Sequence, residues 1–276
     1  MTALEYMREH PVGYRDYQFD CSGVYVNGDY RIKCYHGTAH GHQDFTQAFA
    51  NSCNGAFSSL GLGLNLGAFR DTAKSLLFNS PLPITGLPYK QSSFEMGPGA
   101  DTWEILQTSI GQGTTQVTPM HNAMITAAIA NGGTLMKPYF LNSVETAGGE
   151  EIKKFMPASY GSLMTAGEAE GLTELMRTVV TEGTGSAVRT DAYTVAAKQA
   201  RQNLRPERKP MHGLPGLRPW KTQNWWLRSL WKKEAAAARR LRRLQGSCLI
   251  FIWPGNTWQI TCGKRCISCK RITIFV

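Results

Sequence analysis

The chain has 276 residues, with 30 Lys+Arg against 20 Asp+Glu and a formal charge of +10. No run reaches the roughly 18 apolar residues that a membrane span needs. No basic start with an apolar stretch behind it marks a signal peptide, and Cys21, Cys34 and Cys53 do not make a disulfide framework.

The net charge describes neither part of the chain. Residues 1–198 hold 13 Lys+Arg against 18 Asp+Glu, a charge of −5, whereas residues 199–276 hold 17 against 2, a charge of +15. Six of the seven tryptophans and four of the seven cysteines also lie beyond Lys198. One cooperative domain seldom changes composition so sharply, so the chain divides into a body, 1–198, and a tail, 199–276. The body is long enough for one domain with a substantial core.

Residues 1–10 read as the end of a helix without an N-cap, with Leu4 and Met7 on one face. Asn27-Gly28 between Val24-Tyr25-Val26 and Tyr30-Arg31-Ile32 signals a hairpin with a type I′ turn. Cys21 and Cys34 flank it, and His36, His40 and His42 follow. No spacing there matches a zinc pattern, so the reading is a solvated His-rich loop beside two small buried thiols, with a metal site left open.

A helix is expected over 44–50, interrupted by Ser52-Cys53-Asn54, and a second over 69–78. The stretch 79–102, rich in Pro, Gly and Ser, reads as a long ordered loop, a class of segment often functional. Thr118 as N-cap and Pro119 as first residue open a helix that stops at Asn131-Gly132-Gly133. A strand is expected over 136–144. Thr165 and Glu168 form a capping box before a helix whose Leu172, Leu175, Met176, Val179 and Val180 make one stripe, ended by Gly183. A further strand is expected over 192–197.

Four stretches carry a resemblance. They are Ser52-Cys53-Asn54; Gly111-Gln112-Gly113 with Val117-Thr118-Pro119 and Ala130-Asn131-Gly132-Gly133; Val179-Val180-Thr181-Glu182-Gly183-Thr184-Gly185; and Val195-Ala196-Ala197-Lys198. A lone S-x-N tripeptide carries little information, but the ordered set over most of the body resembles the transpeptidase domain of class B penicillin-binding proteins. The resemblance implies an α+β fold: a five-stranded antiparallel sheet flanked by helices and shared with serine β-lactamases, here incomplete. It implies acyl-serine cross-linking of D-Ala-D-Ala stem peptides, penicillin binding, and no metal or organic cofactor for the chemistry. Implied partners are peptidoglycan stem peptides, β-lactams and cell-wall elongation or division proteins, with no specific nucleic acid. Implied localisation is extracytoplasmic, anchored by an N-terminal helix missing here.

Such enzymes use S-x-x-K, S-x-N and K-T-G motifs. Ser52 and Asn54 match the second: the serine passes protons to the leaving group and the asparagine holds the substrate's acyl side chain. Lys198 matches the lysine of the third. Gln199 and Ala200 replace its Thr and Gly, which bind the substrate carboxylate and line the oxyanion site. No serine of the body, Ser22, Ser58 and Ser59 included, has a lysine three residues on in the required context. The nucleophile motif is expected to lie a few residues before Met1.

The tail yields to a change of reading frame. With codons chosen among those the printed residues allow, re-using the last base of the Lys198 codon lets Gln199 onward read T-G-T-A, then H-A-W-F, a strand-like apolar run and a Gly-rich turn before a closing helix. That is the order the resemblance requires after the lysine, so residues 199–276 are read as an out-of-frame tail without a stable fold. Two other readings of the molecule remain: a non-catalytic stem-peptide-binding module, and a polyanion-binding protein acting through Arg239-Arg240-Leu241-Arg242-Arg243 and the nearby tryptophans. Cys262-x3-Cys266-x2-Cys269 has the spacing of a radical cluster loop but is read as chance.

Overall fold

The computed structural model describes residues 1–84, 86, 88–139, 141, 143–191 and 194–198, together with strands at 200–201, 247–251, 257–262 and 272–275. In chain order its elements are α1 (Thr2–Glu9), β1 (Gln18–Cys21), β2 (Val24–Asn27), β3 (Tyr30–Lys33) and β4 (Gly41–Asp44). Next come α2 (Phe45–Ala50), α3 (Asn54–Gly63), α4 (Leu66–Ser75), α5 (Thr102–Ser109) and α6 (Pro119–Ala130). Four short strands follow, β5 (Thr134–Met136), β6 (Ser143–Glu145), β7 (Glu151–Lys154) and β8 (Ser159–Ser162), before α7 (Ala166–Thr181). The tail holds β9 (Ala200–Arg201), β10 (Ser247–Phe251), β11 (Thr257–Cys262) and β12 (Ile272–Phe275).

The helices begin where side chains satisfy the free N–H groups of a first turn. Asp44 accepts from Gln47 N and closes a capping box at α2, as Thr165 does with Glu168 at α7. Thr118 caps α6, and Pro119 occupies a position whose N–H has no intrahelical partner. The α7 stripe faces inward: Leu172, Leu175, Met176, Val179 and Val180 are all buried. Phe45, Phe69, Leu76, Met124, Leu175 and Val179 fill the interior between the helices. Each such side chain contributes about 1.5–3 kcal/mol through burial. Arg8 ties α1 to α7, its Nε 2.8 Å from Glu168 Oε1 while Nη1 reaches Thr72 and Ser75 of α4.

Several expectations need correction. The hairpin pairs Asn27 with Tyr30, so its two-residue loop is Gly28-Asp29, and only Gly28 of that loop takes positive φ, 57°. The register that sets Ile32 opposite Tyr25, with Ile32 buried, overrides the Asn-Gly signal, because a one-residue slip would turn Ile32 outward. The expected helix over 69–78 runs instead from Leu66 to Ser75, capped by Asn65, and left-handed Leu77 and Asn79 take the chain out of it. The strand expected over 136–144 is two short ones, β5 and β6, with Phe140 and Asn142 outside the described residues. Of the strand expected over 192–197, Ala192 and Tyr193 lie outside the described residues; 194–198 join no sheet among the described residues and lie along α7, with Ala197 N bonded to Met176 O at 3.0 Å.

Helix α3 was hidden by its glycines, which disfavour a helix in isolation. A Cβ on Gly61 would meet Ser109 Oγ at 1.8 Å, so this glycine lets α3 and α5 approach. Every described strand pair is antiparallel: β1 with β4, β2 with β3, β5 with β8, β6 with β7, and a four-stranded sheet in the order β12-β11-β10-β9. The class is therefore α+β. The implied five-stranded sheet does not assemble among the described residues, whose largest sheet joins β9 to the three strands after residue 246. Of the loop expected over 79–102, Thr102 already belongs to α5; residues 79–101 carry an isolated bridge between Ser93 and Gln116 and otherwise run as loop among the described residues.

Candidate active site

Ser52 sits in the connection from α2 to α3 with φ at 52°, in the left-handed region. Ser52 N bonds Phe49 O at 3.2 Å and Cys53 N bonds Ala48 O at 3.0 Å, the paired contacts that close a helix C-terminus when the intervening residue is left-handed. Glycine normally fills that slot. A serine there costs on the order of 1–3 kcal/mol and is held by the surrounding packing. Cys53 then caps α3, its Sγ accepting from Ala56 N at 3.4 Å. The tripeptide is thus a rigid joint between two helices.

Lys198 arrives from the other end of the body. Its Nζ donates to Ser52 Oγ and, at 3.0 Å, to Phe49 O, and it lies 4.8 Å from the centre of the Phe49 ring. Burial pushes its ammonium down to about 8 from the ordinary lysine value of 10.5. Because Lys198 donates to Ser52, the Ser52 hydroxyl is free to donate to Thr184 Oγ1 at 3.5 Å, and Thr184 donates to Ala50 O at 3.4 Å. Thr184 reaches this position because the α7 end turns against α2 without a side chain between them. A Cβ on Gly183 would stand 2.2 Å from Ala50 O.

The structure therefore joins Ser52 with Lys198 across 146 positions of sequence. Asn54 is tied differently: its Nδ2 donates to Lys33 O at 2.8 Å, fixing α3 to the end of β3. Gln199 lies outside the described residues, and Ala200 is placed as backbone in β9. Sequence reasoning missed Thr184 as a site residue although it stood in a quoted motif, and missed the Phe49 carbonyl, which no side-chain pattern signals. A groove of about 250 Å³ between Arg177, Arg189, Asp191 and Val195 contains none of these groups.

Cys21, Cys34, His40 and Cys53 form a second cluster, their ligating atoms all within 4.8 Å of one another. His36 and His42 stand apart; both are exposed, and His42 pairs with Asp20 at 2.8 Å. The expectation of two buried thiols beside a solvated loop thus gains a third thiol and one ring nitrogen. Cys53 had been read only as the middle of S-x-N.

A mixed α+β body in which a helix-joining serine meets a lysine from a late segment has the serine-to-lysine contact expected where an S-x-N tripeptide faces the lysine of a K-T-G strand. The model of the penicillin binding protein transpeptidase domain matches residues 10–199, and the chain belongs to that family, among the class B proteins. It is 36% identical over 130 residues to the peptidoglycan D,D-transpeptidase PbpA of Mycobacterium tuberculosis, covering 47% of this chain and 26% of that protein. It is 28% identical over 191 residues to the stage V sporulation protein D of Bacillus subtilis, covering 67% of this chain and 28% of that one. Among solved structures, the penicillin G acyl-enzyme complex of penicillin-binding protein A from M. tuberculosis superposes with a TM-score of 0.61 at 27% identity, over 72% of this chain and 45% of that one. The chain thus spans about a quarter of the length of these curated relatives. No helix among the described residues is long and apolar enough to cross a membrane.

Proposed function

We propose that residues 1–198 supply the S-x-N and lysine-bearing part of a peptidoglycan D,D-transpeptidase site, and that these 276 residues by themselves form no acyl-enzyme. In the complete reaction a serine hydroxyl attacks the penultimate carbonyl of a D-Ala-D-Ala stem peptide, expels D-alanine and passes the acyl group to an amine of a neighbouring strand. A β-lactam is the same electrophile in cyclic form, and its opened ring stays on the serine. Ser52 carries a proton to the leaving nitrogen in this reading, and Lys198, titrating near 8, resupplies it.

The observation that carries the proposal is the contact of Lys198 Nζ with left-handed Ser52, which builds the proton-relay half of the site. Two departures support inactivity. No serine of residues 1–198 has a lysine three positions on, and Gln199 and Ala200 replace the Thr and Gly that would hold the substrate carboxylate. The family match ends at residue 199, where the charge and tryptophan content change, which supports an out-of-phase origin for residues 199–276.

The test is incubation of the purified chain with a fluorescent penicillin followed by denaturing electrophoresis. The expected result is no covalent label, with a complete relative labelled in parallel. A label that survives denaturation refutes the assignment of inactivity. Reading the parent DNA through the Lys198 codon tests the out-of-phase origin: an A-run one base longer in relatives supports it, and in-frame relatives keeping Gln199-Ala200-Arg201 overturn it.

A further inference from the structure

The ribbon made by β6 and β7 offers an open edge. Every residue of β7, Glu151 to Lys154, is exposed, and among the described residues β7 pairs with β6 alone. Its outer side therefore presents backbone N–H and C=O groups to any strand that approaches. The ladder with β6 shifts register: Val144 stands opposite Lys153 and Glu145 opposite Glu151, so Ile152 has no partner across it. Ile152 is 66% exposed. Glu145 facing Glu151 is a like-charge pair, which disfavours the ribbon until a cation reaches it.

The sequence of that edge is complementary to itself. Glu150-Glu151-Ile152-Lys153-Lys154 reads two anions, one apolar residue and two cations. Laid antiparallel on a copy with Ile152 on the axis, it sets Glu151 opposite Lys153 and Glu150 opposite Lys154, each twice by symmetry. Four opposite-charge pairs then flank one Ile–Ile contact. A slip of one position keeps two of these pairs, and a slip of two keeps none and opposes Lys153 to Lys153 or Glu151 to Glu151. Parallel in-register pairing opposes like charges throughout. Lysines on an edge strand ordinarily repel other chains, and a bulge such as that at Ile152 serves the same end. Two glutamates on the same five residues turn that repulsion into attraction for one partner in one register.

We propose that β7 pairs antiparallel with β7 of a second copy of this chain, Ile152 lying on the two-fold axis, so that two ribbons join into one sheet. Lys153, whose Nζ now lies over the Phe155 ring at 5.0 Å, exchanges that exposed contact for the carboxylate of the partner's Glu151. The same lysine relieves the Glu145–Glu151 pair. An edge of five residues falls short of the roughly 1,000 Å² that a permanent interface clears, so the dimer is weak and reversible. The proposal does not depend on the transpeptidase reading.

The 276-residue chain, in reducing buffer at low salt, is followed by sedimentation velocity over a concentration series. Wild type is expected to pass from monomer to dimer as concentration rises. Lys153→Glu with Lys154→Glu makes the edge wholly acidic, and Glu150→Lys with Glu151→Lys makes it wholly basic. All four positions are exposed, where substitutions rarely disturb a fold. Each double variant alone is expected to associate at least about tenfold more weakly than wild type, and the two mixed in equal amounts to form a heterodimer. Register is read separately, in a background with Cys248, Cys262, Cys266 and Cys269 changed to serine. Paired antiparallel residues have the spacing of a disulfide, so under copper phenanthroline Ile152→Cys should cross-link to its copy at least about tenfold faster than Lys154→Cys. A wild type that stays monomeric up to about 1 mM overturns the proposal. So do charge variants that associate as wild type does, a mixture that stays monomeric, or equal cross-linking at the two cysteines.

Discussion

Lys198 provides the sharpest test of the site's electrostatics. Replacing it with methionine keeps a linear side chain of similar volume and removes the charge. The displacement of its ammonium from 10.5 to about 8 corresponds to about 3 kcal/mol, of which about 2 kcal/mol survives screening of a side chain that is only partly buried. The folded-state value lies below the unfolded one, so the unfolded chain binds more protons between about pH 8 and 10.5. Stability therefore rises with pH through that window, and the penalty of burying the ammonium is fully present below it. The hydrogen bonds to Ser52 Oγ and Phe49 O, worth about 1 kcal/mol each, are donated by the neutral amine as well. They cancel when one variant is compared at two pH values. Urea unfolding of wild type and Lys198→Met at about pH 7 and pH 10.5, followed by far-UV circular dichroism, is expected to show the wild type gaining about 2 kcal/mol relative to the variant at the higher pH. Parallel pH profiles for the two proteins would refute a desolvated lysine, and a wild type losing stability across the window would reverse its sign.

Gly183→Ala should destabilise the body by about 2–4 kcal/mol in the same urea assay, because the new Cβ meets the backbone of Ala50 at 2.2 Å; where space existed, the change would be neutral or stabilising. Burial opposes ionisation of Glu168, yet its hydrogen bond from Arg8 and the Thr165 N–H hold its carboxyl below the usual range, so its contribution is present at neutral pH and lost as pH falls through the folded-state value. Glu168→Gln is expected to cost about 1–2 kcal/mol at neutral pH and nothing in acid; an equal loss at both would show that packing, not charge, sets the effect. Amide exchange should be slow at Leu172, Leu175 and Val179, since the α7 amides are covered by a core, and faster in β10–β12; protection of β10–β12 equal to that of α7 would show that the tail sheet is a folded module.

The features written most plainly in the sequence are those fixed within a few residues. The Thr165 capping box, the Thr118-Pro119 start and the Leu172–Val180 stripe predicted α6 and α7, because caps and helical period act through bonds of three or four positions. The Ser52 and Lys198 assignments came from motif order, and the change in charge after Lys198 is a property of composition. Packing decided the remainder. Helix α3 forms despite its glycines because α5 lies against it, and the hairpin loop is set by burial of Ile32 and not by Asn27-Gly28. The meeting of Ser52 with Lys198, the insertion of Thr184, and the convergence of Cys21, Cys34, His40 and Cys53 span separations from 6 to 146 positions. No local period encodes such encounters; they follow from strand register, from glycines that admit a neighbouring backbone, and from how whole helices rest on one another.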